Sequence, residues 1–257
     1  MIQFAETQHK NALMKMWKSC FPQDTETFIE WYFRNVYHEE ESLIAIENNQ
    51  PVAFVQMIPY DIKLGNDIRP SIYLSGVMTH LDYRNRGYMR RLVQKALEET
   101  EQKAYHYAFL IPQEEKLFDL YAKYGFQRAF SKIEYRSQAE NFIANGKFQS
   151  YTSYNESDSQ YLYSIYDNIL KSYPNVVLKT KKQFDNILWD FFNEKGSLYV
   201  ADGEMIFSKP AELQSPWLCK YGNNTGITID CSHYKGMIKS VDGSVPPKDV
   251  FMIQMLD

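Results

Sequence analysis

Thr79-His-Leu-Asp-Tyr-Arg-Asn-Arg-Gly-Tyr-Met-Arg-Arg-Leu-Val93 decides the reading of this chain. A β-rich run, Ser71 to Thr79, ends where a basic loop with a single glycine begins, and a helix follows at once. Met89, Leu92, Val93, Ala96 and Leu97 fall at i, i+3, i+4, i+7 and i+8, one apolar stripe, while Lys95, Glu98 and Glu99 occupy the other face. Such a junction suits a phosphate. The first helical turn leaves N–H groups unpaired, the helix dipole puts partial positive charge there, and Gly87 lets backbone approach a ligand closely. Arg84, Arg86, Arg90 and Arg91 add full charges. A solvated surface turn is the plain alternative, and an isolated Arg-x-x-Gly would favour it.

The surroundings order the rest of the first half. Residues 8–20 and 25–37 have helical patterns, the second opened by Asp24 or Thr25 as a cap. Strands are expected at 43–47 and 52–58, flanking Asn48-Asn49-Gln50-Pro51, and at 61–64 and 68–79, flanking Gly65-Asn66-Asp67. After the helix come a strand at 105–111, ended by Pro112, and a helix at 114–124 stopped by Gly125-Phe126.

On these residues the chain resembles the GNAT acyl-CoA N-acetyltransferases. Arg84-Asn-Arg-Gly-Tyr-Met89 is similar to the family's pyrophosphate loop, Gln/Arg-x-x-Gly-x-Gly/Ala, with Met89 at a position where the Eis-like (enhanced intracellular survival) branch also carries a bulky residue. Leu120-Tyr121-Ala-Lys-Tyr-Gly-Phe126 is similar to the family's Leu-Tyr-x-x-x-Gly-Phe helix. The resemblance covers about residues 1–136 and implies an α/β (α+β) fold, a mixed and largely antiparallel sheet flanked by helices. No Gly-Lys-Ser/Thr or Gly-x-Gly-x-x-Gly supports the other glycine-loop phosphate folds.

Residues 137–160 are polar and read as a link, after which the pattern restarts: helices at 161–171 and 181–192, a strand at 197–201, the turn Asp202-Gly203 and a strand at 204–207. Residues 161–257 are therefore expected to be a degenerate GNAT-like second domain, as in Eis-like proteins, with an unrelated small domain as the alternative. The cofactor chemistry is missing there, since Gly222-Asn-Asn-Thr-Gly226 has no arginine and leads into a strand-like run.

Composition bounds the function classes. The chain has 257 residues, of which 44% are hydrophobic and 16% aromatic, enough for a sizeable core. A net charge of −4 with mixed signs disfavours a nucleic-acid binder using Arg84 to Arg91. Cys20, Cys219 and Cys231 form no Cys-x-x-Cys pair, and His9, His38, His80, His106 and His233 lack ligand spacing, so no metal is expected. No run approaches the roughly 20 apolar residues of a membrane span, and the N-terminus has no export pattern. A cytoplasmic protein with no membrane partner is the expectation; whether copies associate is left open.

The resemblance implies acetyl transfer from acetyl-CoA, as cosubstrate, to a primary amine of a small molecule or peptide by direct attack on the thioester. The expected cofactor-binding residues are Val77, Met78, Thr79, Arg84, Asn85, Arg86, Gly87, Tyr88, Met89 and Arg90. Backbone groups of Val77 and Thr79 would face the thioester where two strands splay apart. Tyr121 matches the tyrosine that protonates the departing thiolate, although an aromatic on a buried helix face explains it equally well by spacing. For the base, Eis-like enzymes use their C-terminal carboxylate, which points to Asp257; His80, beside the loop, is the other candidate. Asp24, Glu30, Trp31 and Tyr32 offer carboxylates and aromatic faces to a cationic acceptor. The competing function is a catalytically silent GNAT-like acyl-CoA-binding or regulatory module.

Overall fold

Thr25 caps a helix by accepting the Phe28 N–H through its hydroxyl, and Asn48 and Asn49, at φ 50° and 59°, form a two-residue hairpin turn. These local signals set the N-terminal layout. The structure, a computed structural model, describes residues 1–131, 148–201, 203–208, 218–221 and 234–252. Strand β1 (Ile2–Phe4) precedes helices α1 (Lys10–Cys20) and α2 (Glu26–Asn35), then strands β2 (Ser42–Glu47), β3 (Gln50–Leu64) and β4 (Asp67–Thr79). Helix α3 (Tyr88–Gln102), β5 (Tyr107–Leu110), α4 (Glu115–Ala122) and β6 (Gln127–Ser131) complete the first half. The second contains β7 (Gln149–Tyr151), α5 (Glu156–Ser172), β8 (Asn175–Leu178), α6 (Lys181–Asn193), β9 (Ser197–Ala201), β10 (Glu204–Ser208), β11 (Leu218–Tyr221), β12 (Tyr234–Ser240) and β13 (Val250–Phe251).

Nine strands share one sheet in the order β1-β2-β3-β4-β5-β12-β6-β13-β8, and β8 also pairs with the far end of β3. The pairings therefore close on themselves through β3, β4, β5, β12, β6, β13 and β8. Inside this ring packs an aromatic cluster with a member from every one of its strands: Tyr60, Ile62, Tyr73, Tyr107, Phe109, Ala129, Phe130, Val177, Ile238 and Val250. Closure removes two exposed edges and encloses those side chains. A second sheet, in the order β11-β10-β9-β7, has its own core around Tyr166, Phe184, Phe191 and Phe207. Its layout repeats β1 to β4: one strand, two helices, then an antiparallel three-strand meander whose first turn has two residues.

Several expectations are corrected. The strands expected at 52–58 and 61–64 are one 15-residue strand. The link at 137–160 contains, in its described part, β7 and the start of α5, which begins at Glu156 because the Asn155 side chain accepts the Ser157 N–H. Strand β8 went unrecognised between the two helices. The domain boundary also shifts: β8, β12 and β13, expected within a second domain at 161–257, all lie in the first sheet. Residues 222–226, the turn residue Asp202, and Cys231 and His233 lie outside the described residues.

The two halves join along further contacts. Trp31 of α2 stacks on Trp189 of α6, rings 4.2 Å apart and 2° from parallel. Gln183 donates to the Pro59 carbonyl (2.9 Å), and Lys63 donates to the carbonyls of Lys171 (2.6 Å) and Tyr173 (3.0 Å). Among the described residues no helix is long and apolar enough to cross a membrane.

A chain ended at residue 136 lacks three of the seven ring strands and, with them, Val176, Val177, Ile238 and Val250, all fully buried. At about 1.5–3 kcal/mol for each buried aliphatic side chain, the loss is comparable to the whole stability of an ordinary domain, about 5–15 kcal/mol. Such a fragment is expected to show no cooperative thermal unfolding by circular dichroism; a sharp transition would contradict the ring.

The turn after β12 is tied to the start of β5. Asp242 accepts hydrogen bonds from Ser244 N–H (2.9 Å), His106 Nδ1 (2.6 Å) and Ser240 Oγ (3.0 Å). Those from Ser244, then His106, hold its carboxyl well below the usual carboxylate range. A lowered folded-state value means that this stabilisation is complete above the ordinary carboxylate pKa of about 3.9 and is lost as pH falls below it. Asp242→Asn should therefore lower the melting temperature at pH 7, and its gap from the parent should narrow as the pH is taken down towards 2. A gap that stays constant would remove Asp242 from this role.

Candidate active site

Gly76 interrupts β4 at φ +59°, and a Cβ there would come within 2.8 Å of the Trp17 ring, so both backbone and packing demand glycine. The register across β3 and β4 slips at this point, from Phe54↔Met78 to Gln56↔Ser75, leaving Gly76 and Val77 opposite Val55 alone. This is a bulge, which bends and twists its strand. On its other edge β4 pairs with β5 only at Ser71–Tyr73. From Leu74 to Thr79 that edge has no partner strand among the described residues, so the pairing of β4 with β5 ends at Tyr73.

The basic loop begins where β4 stops. Thr79 ends the strand with its Oγ1 enclosed and without a hydrogen-bond partner, while its carbonyl accepts from Cys20 Sγ (3.5 Å) and Arg84 Nε (3.4 Å). Asn85 (φ 62°) and Gly87 (φ 78°) take left-handed conformations on either side of Arg86. Gly87 is the N-cap of α3 and supplies no capping side chain, unlike Thr25, Asn155 and Thr180 at α2, α5 and α6. The first intrahelical bond runs from Arg91 N–H to the Gly87 carbonyl (3.2 Å), so the N–H groups of Gly87 to Arg90 have no such partner. A Cβ built on Gly87 meets nothing within 4 Å. The end of α3 is thus an open set of aligned donors, the arrangement that an anion requires.

The arginines are not equivalent. Arg86 donates to the Asp82 carbonyl (3.0 Å), sits 4.9 Å over the Tyr83 ring and pairs with Glu47 at 3.7 Å. Arg91 lies over Tyr88 (4.5 Å), whose ring is buried under the helix. Arg84 is exposed and makes only the long contact to Thr79, and Arg90 forms no ion pair among the described residues. Met78 is buried towards α1 and α2, whereas Val77 and Met89 pack half-buried on the core beneath α3. Glu47 and the bulge were missed in the sequence, although a lone glycine within a β-rich run is itself a bulge signal.

Tyr121 lies in the last turn of α4, 6% exposed, among Leu110, Phe118, Phe126 and Met237. Its hydroxyl has no hydrogen bond among the described residues, yet it is not one of the fully enclosed polar atoms. Burial, then the neighbouring Tyr124, pushes its pKa up from 10, so the phenol stays protonated at neutral pH.

The remaining candidates scatter. His80 Nδ1 accepts the Asp82 N–H (3.3 Å), which commits that lone pair to capping a short 3-10 turn at Leu81–Tyr83. Tyr32 is fully buried, bonded to Gln56 Oε1 (3.0 Å) and Ser75 Oγ (3.2 Å), and one face of Trp31 is covered by Trp189. Asp24 accepts from Trp17 Nε1 (2.7 Å), and burial raises its carboxyl above the ordinary value. Glu30 alone of the four is exposed. Asp257 lies outside the described residues, as does Trp217. No cluster of metal-ligating side chains occurs among the described residues.

Residues 2–129 match the family model described as the acetyltransferase (GNAT) domain. No curated protein matches the chain. Among solved structures it is similar to a GCN5-related N-acetyltransferase from Kribbella flavida, with a TM-score of 0.70, 13% identity, and 94% of this chain and 72% of that one covered. A probable N-acyltransferase from Enterococcus faecalis V583 gives a TM-score of 0.73 at 10% identity, covering 94% of this chain and 73% of that one. Eis1 from Mycobacterium abscessus gives 0.63 at 14% identity, covering 83% and 55%. At such identities the likeness is one of fold: the chain has a GNAT fold, and its residues 2–129 are similar to the GNAT acetyltransferase domain.

Proposed function

We propose that the chain is an acetyl-CoA-dependent N-acetyltransferase that moves an acetyl group to a primary amine of a small molecule or peptide. The observation that carries this reading is the open, uncapped N-terminus of α3 behind an arginine-bearing loop, beside the edge of β4 that β5 leaves unpaired. The pyrophosphate would lie against the N–H groups of Gly87 to Arg90, with Arg84 and Arg90 free to add charge-assisted contacts and Arg86 released from Glu47. The unpartnered Thr79 hydroxyl and the free edge of β4 offer further polar contacts. Acetyl-CoA supplies the activated thioester.

The chain's own groups then have distinct tasks. Backbone N–H groups at Val77 and Thr79, freed by the bulge and the end of the β5 pairing, would steady charge on the carbonyl oxygen as it develops. Tyr121, held protonated by burial, suits a proton donor to the leaving sulfur and not a base. His80 suits the base poorly because its Nδ1 lone pair is already engaged. Asp257, to which the Eis-like resemblance points, remains the proposed base. The repeated meander β7 and β9–β11 is, on this reading, a degenerate second copy without a cofactor site.

Arg84→Ala combined with Arg86→Ala should weaken acetyl-CoA binding at least about tenfold, since charge-assisted phosphate contacts are lost, and calorimetry on the parent should give one site per chain. Unchanged affinity would overturn the binding site, and a stoichiometry of two would overturn the degenerate copy.

Tyr121→Phe keeps the ring packed on Phe126 and deletes only the hydroxyl. Turnover with an amine panel, followed by thiol release, should fall on the order of a hundredfold while acetyl-CoA affinity holds. Binding without turnover in the parent itself would support the silent module instead.

A further inference from the structure

The segment that bears Tyr121 is held at its end by a side chain from the far end of the sequence. Helix α4 has only eight residues, too few to be stable alone. Its C-terminus closes in a Schellman arrangement: Phe126 N–H bonds the Tyr121 carbonyl (3.3 Å), Gly125 N–H bonds the Ala122 carbonyl (3.0 Å), and Gly125 is left-handed at φ 87°. The accompanying apolar contact is the Tyr121 ring against Phe126, centroids 5.9 Å apart and near edge-on. Tyr121 is thus itself a part of the cap. One further carbonyl, that of Tyr124, accepts from Lys239 Nζ at 2.7 Å.

Lys239 comes from β12, where it pairs with Ala108 of β5. Its stem runs under Gly125 so closely that a Cβ there would meet Nζ at 3.0 Å, Cε at 3.6 Å and Cδ at 3.7 Å. Lys239 forms no ion pair and no other side-chain hydrogen bond among the described residues. A cation at a helix C-terminus also complements the dipole. Met237, two residues earlier on the same strand, packs in the core that surrounds Tyr121. Lysine and methionine together bind α4 to β12.

We propose that Lys239 is a positioning residue for acetyl transfer: by closing the C-terminus of α4 it sets the place of the Tyr121 hydroxyl. The inference rests on the reading of Tyr121 as the proton donor. Without the ammonium the last turn of α4 loses a donor, and a shift of about 1 Å at a reacting group is enough for about a hundredfold in rate.

Lys239→Met keeps the length and apolar stem and removes the charge. Its kcat should drop about tenfold or more, with KM for acetyl-CoA and for the amine within about twofold of the parent, because neither binding surface is touched. Lys239→Arg should restore most of the rate. In a Tyr121→Phe background the same substitution should have no further effect on kcat, the sign of two residues acting through one group. An unchanged kcat in Lys239→Met, or an equal loss in both backgrounds, overturns the proposal. Amide exchange at Gly125 and Phe126 separates the two ideas. Faster exchange in Lys239→Met beside normal turnover in Tyr121→Phe means that the cap exists and the assignment of Tyr121 has failed. Unaltered exchange means that the cap itself has failed.

Discussion

Strand β12 lies between β5 and β6, antiparallel to both, and most of the structure depends on this insertion. Without it β5 and β6 have no common partner, the ring does not close, and Phe109 and Phe130 lose the Ile238 side chain that packs with them. The same strand supplies Met237 to the core under α3 and Lys239 to the end of α4. A segment more than a hundred residues from the arginine loop in sequence thereby becomes part of its support. Contacts of such separation carry a high closure entropy and are repaid only by extensive apolar burial. The aromatic filling of the ring provides that burial.

The candidate site is distinguished by what is left unpaired. Most strand edges are satisfied by neighbours or closure, yet the β5-facing edge of β4 beyond Tyr73 is free among the described residues, and α3 begins without a capping side chain. Buried or partly buried backbone groups ordinarily find partners, so two adjacent sets of open donors, with an enclosed and partnerless Thr79 hydroxyl between them, set this edge apart from the rest of the sheet. Gly76 and Gly87 serve different ends. The first admits Trp17 and creates the bulge; the second keeps the space before the helix clear.

The layout of β1–β4 recurs in β7 with β9–β11, and the second sheet is tied to the first through its helices. After β11 the described chain resumes at β12, in the other sheet. Helix α6 of the second half packs on the first, through the Trp31–Trp189 stack and the contact of Gln183 with Pro59. Trp31 looks, in sequence, like a candidate ligand-binding aromatic. Its stacking on Trp189 gives it to the junction.

Local physics made the strand–loop–helix junction, the helix stripe at Met89 to Leu97, a cap at Asp24 or Thr25, the Gly125-Phe126 stop and a hairpin turn within Asn48–Pro51 legible in the sequence alone. Each is encoded by residues a few positions apart, with a backbone preference or a periodicity as its signal. The destination of a strand has no such signal. Nothing in Asn175–Leu178 or Tyr234–Ser240 says that these segments join the first sheet, because pairing is decided by which edge is open once the other elements have packed. For the same reason Tyr32 and Trp31 read as surface candidates until tertiary packing buried one and stacked the other. The arginine-bearing loop was legible in the sequence; the unpaired edge of β4 beside it, and the contact of Lys239 with the end of α4, were decided only when distant strands closed the ring.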